Sequence, residues 1–256
     1  MVTTTAPVGK GRAVLLGGYN GAEARGEDGM EVHLRKVGER LEGLTGAVVV
    51  IDVFRAGNTL IALLEAGAER VYLLPRREQA RRLKAAHPHW LLLGERGGLP
   101  PAGFEGGNSP AAAAGMRLAG RRVILTTSAG TQAVHRLRRA RPVLFATFAN
   151  AGAVVDLLRR LEPAAVHLLP MGLEARRPAE EDELAAGYLR LALLAQPPVF
   201  AALRDKLLRC PGAERLRRLG QQDDLAWCTR LDVSRLVPVV EWDETEATPF
   251  ARPWQA

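Results

Sequence analysis

The chain has 256 residues, 47% hydrophobic and 5% aromatic, with a formal net charge of +7. That is enough apolar material for one large or two small cores. No apolar run is long enough to cross a bilayer and residues 1–29 lack a signal-peptide core, so a cytoplasmic protein with no membrane partner is expected. Cys210 and Cys228, the only cysteines, exclude a disulfide framework and a cysteine-rich zinc site.

In chain order, residues 1–29 are rich in glycine and small polar residues and read as a mobile N-terminal extension. Met30–Leu34 begins the main domain, 30–241. Ala47–Val53 is a continuous apolar run ending in an acid, a buried strand, and Leu60–Ala68 follows with helical spacing. Val71–Leu74 is strand-like and Glu78–Ala86 a polar-faced helix. Trp90–Leu93, Arg122–Thr127, Val143–Thr147 and Ala165–Leu169 read as further buried strands, interleaved with helices over Thr131–Arg138, Ala151–Arg160, Glu181–Leu194 and Val199–Arg209. The last stretch, 242–256, with Pro249 and Pro253, reads as a strand edge running into a loose tail. This alternation predicts a layered α/β/α fold with a largely parallel or mixed sheet. A faint internal echo, strand–turn–helix at 47–68 and again at 122–138, suggests two similar subdomains. Their loops are expected to converge beyond the carboxyl ends of the strands.

The arginines are scattered along helices (Arg76, Arg77, Arg81, Arg82; Arg136, Arg138, Arg139; Arg215, Arg217, Arg218), and lysine is nearly absent. With so few aromatics and no recognisable motif, these read as solvated helix faces, and no nucleic-acid partner is expected.

The chemistry-bearing residues gather at predicted loops. Gly94-Glu95-Arg96-Gly97-Gly98 places an acid and a base between glycines, followed by Gly106-Gly107-Asn108-Ser109-Pro110. Such a stretch suits a loop ordered around an anion or a metal-bound anion, although Glu95 and Arg96 as a surface ion pair, and Asn108 and Ser109 as an Asx turn, are the alternatives. Asp52 ends the most apolar strand, where a buried carboxylate needs a cation, a metal or backbone donors; capping of the turn Arg55–Asn58 is the plainer role. Arg55 offers a planar fork suited to phosphate or sulfonate. Asn58 and Thr59 open a helix, as anion contacts or as caps. Thr126, Thr127, Ser128 and Thr131 place hydroxyls at a strand end and helix start, as a phosphate cradle or as strand threonines paired across a sheet. Glu181 and Asp182 begin a helix, as dipole complements or as hard oxygen ligands for Mg²⁺. There is no Walker-type lysine loop and no second aspartate two positions after Asp52, where Phe54 stands. Leu216 stands where a cysteine phosphatase would need arginine, and H-E-x-x-H spacing is absent.

Five ordered blocks, Val49–Thr59, Gly94–Pro110, Val123–Thr131, Gly172–Gly187 and Asp223–Val239, resemble those of the 2-phosphosulfolactate phosphatase family. The resemblance spans about Met30 to Glu241. It implies an α/β fold and Mg²⁺-dependent removal of phosphate from 2-phospho-3-sulfolactate on the route to coenzyme M, a small anionic phosphorylated substrate. Asp52, Arg55, Glu95 and Arg96 become the expected catalytic residues. Asn58, Thr59, Gly97, Gly98, Asn108, Ser109, Thr127, Ser128, Gly130 and Thr131 become substrate contacts, and Asp52, Glu95, Glu181 and Asp182 metal ligands. Homo-oligomerisation is left open. Three departures fall on this site: Gly57-Asn58-Thr59 replaces a threonine-rich stretch, Ala129 stands where the family has asparagine, and Ala175 stands near an expected glycine. The rival expectation is a catalytically weakened or silent anion-binding protein on the same scaffold.

Overall fold

The computed structural model describes residues 23–25 and 29–255. Residues 1–22 and 26–28, most of the expected N-terminal extension, lie outside the described residues.

The strand Ala47–Ile51 (β3 below) is a β-branched run buried at every position, as a central strand covered on both faces must be. Before it come β1 (Glu23–Arg25) and β2 (Glu31–Leu34). After it come β4 (Arg70–Leu74), β5 (Leu91–Gly94), β6 (Arg122–Thr126), β7 (Val143–Ala146), β8 (Ala165–Pro170), β9 (Pro238–Asp243) and β10 (Thr248–Pro253). Among the described residues these make one ten-stranded sheet in the order β1-β2-β8-β3-β7-β9-β10-β4-β6-β5. β2, β8, β3 and β7 run parallel, as do β4, β6 and β5. Between these halves lies the hairpin β9–β10, antiparallel to β7 on one side and to β4 on the other. Successive antiparallel steps make the halves run in opposite senses.

The stretch expected to be a loose tail is therefore the joint of the sheet. Phe250 and Ala251 pair with Tyr72 and Val71 and are buried on opposite faces. Pro249 and Pro253 lie outside that short ladder with β4 and stand opposite Trp242 and Pro238 of β9.

Helix α1 (Ala56–Glu65) is buried at nine of its ten residues. It lies in a core cluster that combines Val48 and Val50 of one half with Val71, Leu73, Val123 and Leu125 of the other. The opposite face of β3 packs against α5 (Ala151–Leu161), α6 (Glu180–Leu193) and α7 (Phe200–Arg209). The opposite face of β4 and β6 packs against α2 (Arg77–Ala86) through Ala80. The echoed segments thus hold corresponding places, β3–α1 and β6–α4 (Gly130–Val134), yet share one core. Sharing it brings the carboxyl ends of β3, β5, β6 and β8 together. Two short helices went unexpected, α3 (Pro110–Ala114) and α9 (Gln222–Cys228), while α8 (Pro211–Arg218) is the helix on which Arg215, Arg217 and Arg218 were expected.

Candidate active site

Three buried acids stitch the strand ends together. Asp52, just beyond β3, accepts hydrogen bonds from the amides of Ala56 (3.0 Å) and Gly130 (3.1 Å), joining the first turns of α1 and α4. Glu95, just beyond β5, accepts from Gly98 (2.9 Å) and Ser128 (2.7 Å). Asp182, in the first turn of α6, accepts from Val53 (2.8 Å) and Gly172 (2.8 Å). The capping role foreseen for Asp52 is thus real, but it spans two helices. Asp182 serves distant loops and not its own helix start. The glycines fit this closeness: a Cβ at Gly130 would stand 2.9 Å from Asp52 Oδ2.

Burial is the main cause that lifts Asp52 to about 6, with repulsion from Glu95 and Glu181 adding and the two amides opposing. Burial, then the charges of Asp52 and Glu181, pushes Asp182 well above the usual carboxylate range. Burial also raises Glu181. The Glu181 carboxylate lies against Gly212 and accepts from the Cys210 thiol at 3.6 Å. That thiol keeps its proton because burial drives it up to about 12.

A second set of contacts is made by side chains. Arg55, 4% exposed, pairs with Asp224 at 2.6 Å and donates to the Gly98 carbonyl at 2.8 Å. The other Asp224 oxygen accepts from the Ser109 hydroxyl (2.5 Å) and the Ala111 amide (3.2 Å).

Asp52, Glu95, Glu181, Asp182 and Arg55 border a cavity of about 280 Å³. Of the expected site residues, Asp52, Arg55, Glu95, Gly98, Asn108, Thr127, Ser128, Glu181 and Asp182 line it. Asn108 is 4% exposed and its buried Oδ1 has no hydrogen-bond partner.

The others serve the scaffold. Arg96 turns away from the cavity, donating to Pro75 O (3.1 Å) and Thr126 Oγ1 (3.0 Å), and makes no ion pair with the Glu95 carboxylate. Gly97 sits in the tight turn Arg96–Leu99 at φ +65°. Asn58 ties α1 to its neighbours by donating to Val53 O and accepting from Thr147. Thr59 is fully buried. Thr131 bonds back to Thr127 within its turn, and Gly130 contributes its amide. Ser109 is the N-cap of α3, accepting from Ala112 while donating to Asp224.

Sequence reasoning left three participants out. Asp224 stood in the block Asp223–Val239 but was given no role there. Arg215 and Arg218 of α8 line the cavity, although helical arginines read as solvated.

Among the described residues, no three acid, histidine or cysteine side chains are grouped so as to cage a metal ion. Mg²⁺ commonly keeps several waters and takes one or two carboxylates plus phosphate oxygens. That regime suits these acids. Asp52 and Asp182 repel each other, and Arg55, the buried cation beside them, is already paired with Asp224.

The sequence model of 2-phosphosulpholactate phosphatase matches residues 35–243. A probable 2-phosphosulfolactate phosphatase of Thermus thermophilus is 35% identical over 221 residues, covering 80% of this chain and 92% of that protein. A protein of the same description from Synechococcus sp. strain JA-2-3B'a(2-13) is 37% identical over 218 residues, covering 77% and 89%. Another from Deinococcus radiodurans is 36% identical over 208 residues, covering 75% and 86%. The chain belongs to the 2-phosphosulfolactate phosphatase family.

Proposed function

We propose that this member of the 2-phosphosulfolactate phosphatase family is a Mg²⁺-dependent hydrolase of the phosphate monoester in 2-phospho-3-sulfolactate or a closely related phosphorylated hydroxy acid. The observation that carries the reading is the set of buried, mutually repelling carboxylates around a small cavity, each held by two main-chain amides. Asp52, Glu95 or Asp182 would hold the ion, one or two of them at a time, with waters and phosphate oxygens completing its shell and Glu181 nearby. Bound there, Mg²⁺ would polarise the phosphoryl group and lower the pKa of a water.

The chain's own residues supply the rest. The amide bonds fix the carboxylates, so they need not reorganise when charge develops on the phosphoryl oxygens. Arg55 has further guanidinium donors beyond those used on Asp224 and Gly98, and these face the cavity from a buried, pre-oriented position. The Thr127 and Ser128 side chains stand at the same wall. Asn108 Oδ1 is an acceptor for a substrate hydroxyl or a bound water.

The silent anion binder is the weaker reading. The replacement at Ala129 removes a side-chain amide from the cavity, but the contacts that shape the carboxylates come from the main chain of Ser128 and Gly130, which alanine leaves in place. Cys210 and Cys228 are free and buried, in keeping with action in the reducing cytoplasm.

Phosphate release from 2-phospho-3-sulfolactate and a panel of phosphorylated hydroxy acids, with Mg²⁺ and with chelator, tests the proposal. Metal-dependent turnover on any of them supports it. A folded protein that releases none overturns it in favour of the anion binder.

A further inference from the structure

We propose that Arg215 of α8 is a specificity-determining residue that binds a second acid group of the substrate, a carboxylate or sulfonate a few bonds from the phosphate ester. This rests on the phosphatase reading above and assigns a residue to the second acid group that such substrates carry.

The cations lining the cavity are Arg55, Arg215 and Arg218. Arg55 is buried and paired with Asp224. Arg218 is exposed at the rim. Arg215 is half-buried, and among the described residues its side chain has neither a hydrogen bond nor an ion pair. Its charge acts on Glu181 without an ion-pair contact.

Its guanidinium group lies near the Gly98 turn. A Cβ built on Gly98 would meet Arg215 Nη2 at 3.8 Å and Arg55 Nη2 at 3.9 Å, so both guanidinium groups converge on one turn. The same turn sends its amide to Glu95.

The cavity therefore has two chemically distinct sides: acids that suit a hydrated divalent cation and its phosphate, and guanidinium groups with donors to spare. A simple alkyl phosphate would satisfy the first and leave Arg215 unmatched. A planar guanidinium fork takes a carboxylate or sulfonate bidentately, which a lysine does less well. The small volume restricts the two anions to one compact molecule.

The test compares wild type, Arg215→Gln and Arg215→Lys on three esters: 2-phospho-3-sulfolactate, 2-phospholactate and glycerol 2-phosphate. They carry, besides phosphate, a carboxylate and a sulfonate, a carboxylate only, and no further acid. Losing a charge-assisted contact at a desolvated site predicts that Arg215→Gln lowers kcat/KM about 10- to 100-fold on the acidic esters, mainly through KM. On glycerol 2-phosphate the change stays within about threefold, and Arg215→Lys recovers part of the loss. A loss confined to the sulfonated ester identifies sulfonate as the partner; a loss shared with 2-phospholactate identifies carboxylate. Equal losses on all three esters, or none on any, overturn the proposal.

A separate readout keeps it distinct from the phosphatase reading. Calorimetric binding of 3-sulfolactate, which has no phosphate to release, is predicted to weaken in Arg215→Gln even if wild type hydrolyses nothing. Unchanged binding of 3-sulfolactate overturns the subsite whatever the turnover.

Discussion

Two sets of contacts hold the cavity, and they are built differently. Asp52, Glu95 and Asp182 each take their partners from the main chain, six amides in all. Arg55, Asp224 and Ser109 form a chain of side chains. In the first set, the loops supply a backbone N–H whatever non-proline residue they carry, so a substitution there leaves the contact to the carboxylate in place. In the second, both partners are particular residues, and a change at either end leaves a buried charge unmatched.

The largest effect expected from this contrast is at a carboxylate itself. Asp52→Asn keeps the shape but presents an NH₂ to one of two amides, and it removes the charge a cation would need. Activity is predicted to fall by about 1,000-fold or more, since removing a group that acts mainly in the transition state lowers kcat itself. Phosphate release by a folded variant measures it, and full activity would remove Asp52 from the site.

Next comes the side-chain set. Asp224→Asn should cost about 3–5 kcal/mol of stability, the range for breaking one partner of a buried pair. Denaturant unfolding reads this directly, and a change below about 1 kcal/mol, the scale of an exposed pair, would show the Arg55–Asp224 contact to be solvated in solution.

A smaller effect is on pH dependence. Asp52 binds its proton more tightly folded, near pH 6, than unfolded, near the ordinary 3.8. Stability from this group is therefore present at low pH, declines as pH rises from about 4 through 6, and is fully lost above that. In chelator, the Tm of wild type relative to Asp52→Asn should fall between about pH 4 and about pH 7 on that account. Added Mg²⁺ should reverse the fall. A pH-independent difference would mean that Asp52 is not strained by its burial.

The smallest effect sharpens the contrast by its absence. Ala129→Asn changes a side chain while leaving the Ser128 and Gly130 amides in place, so activity should change by less than about threefold, below 1 kcal/mol. A large gain would mean that the missing asparagine limits this enzyme.

What the sequence disclosed follows the same divide. An acid at the end of an apolar strand is a local signal, so Asp52 and Glu95 were legible, as was the alternation behind the layered fold. Arg55 and Arg96 look alike in sequence, each beside an acid-bearing strand end. They part company because Asp224 faces one, while Pro75 O and Thr126 face the other. Arg215 was hidden because α8 shows charge on several sides, and only packing decides which side meets the cavity. The place of β9–β10 was hidden too: two short proline-bearing strands say nothing about the edges they will join.

That hairpin also sets an order of events during synthesis. β7 and β4 each present an open edge that only β9 and β10 cover, and residues 238–253 emerge from the ribosome after both halves have been made. Until then the growing chain carries two sheet fragments with unpaired edges, each able to pair with a neighbouring nascent chain. The site inherits this lateness. Its acids come from both fragments, so the cavity takes shape only when the last strands lock the halves together.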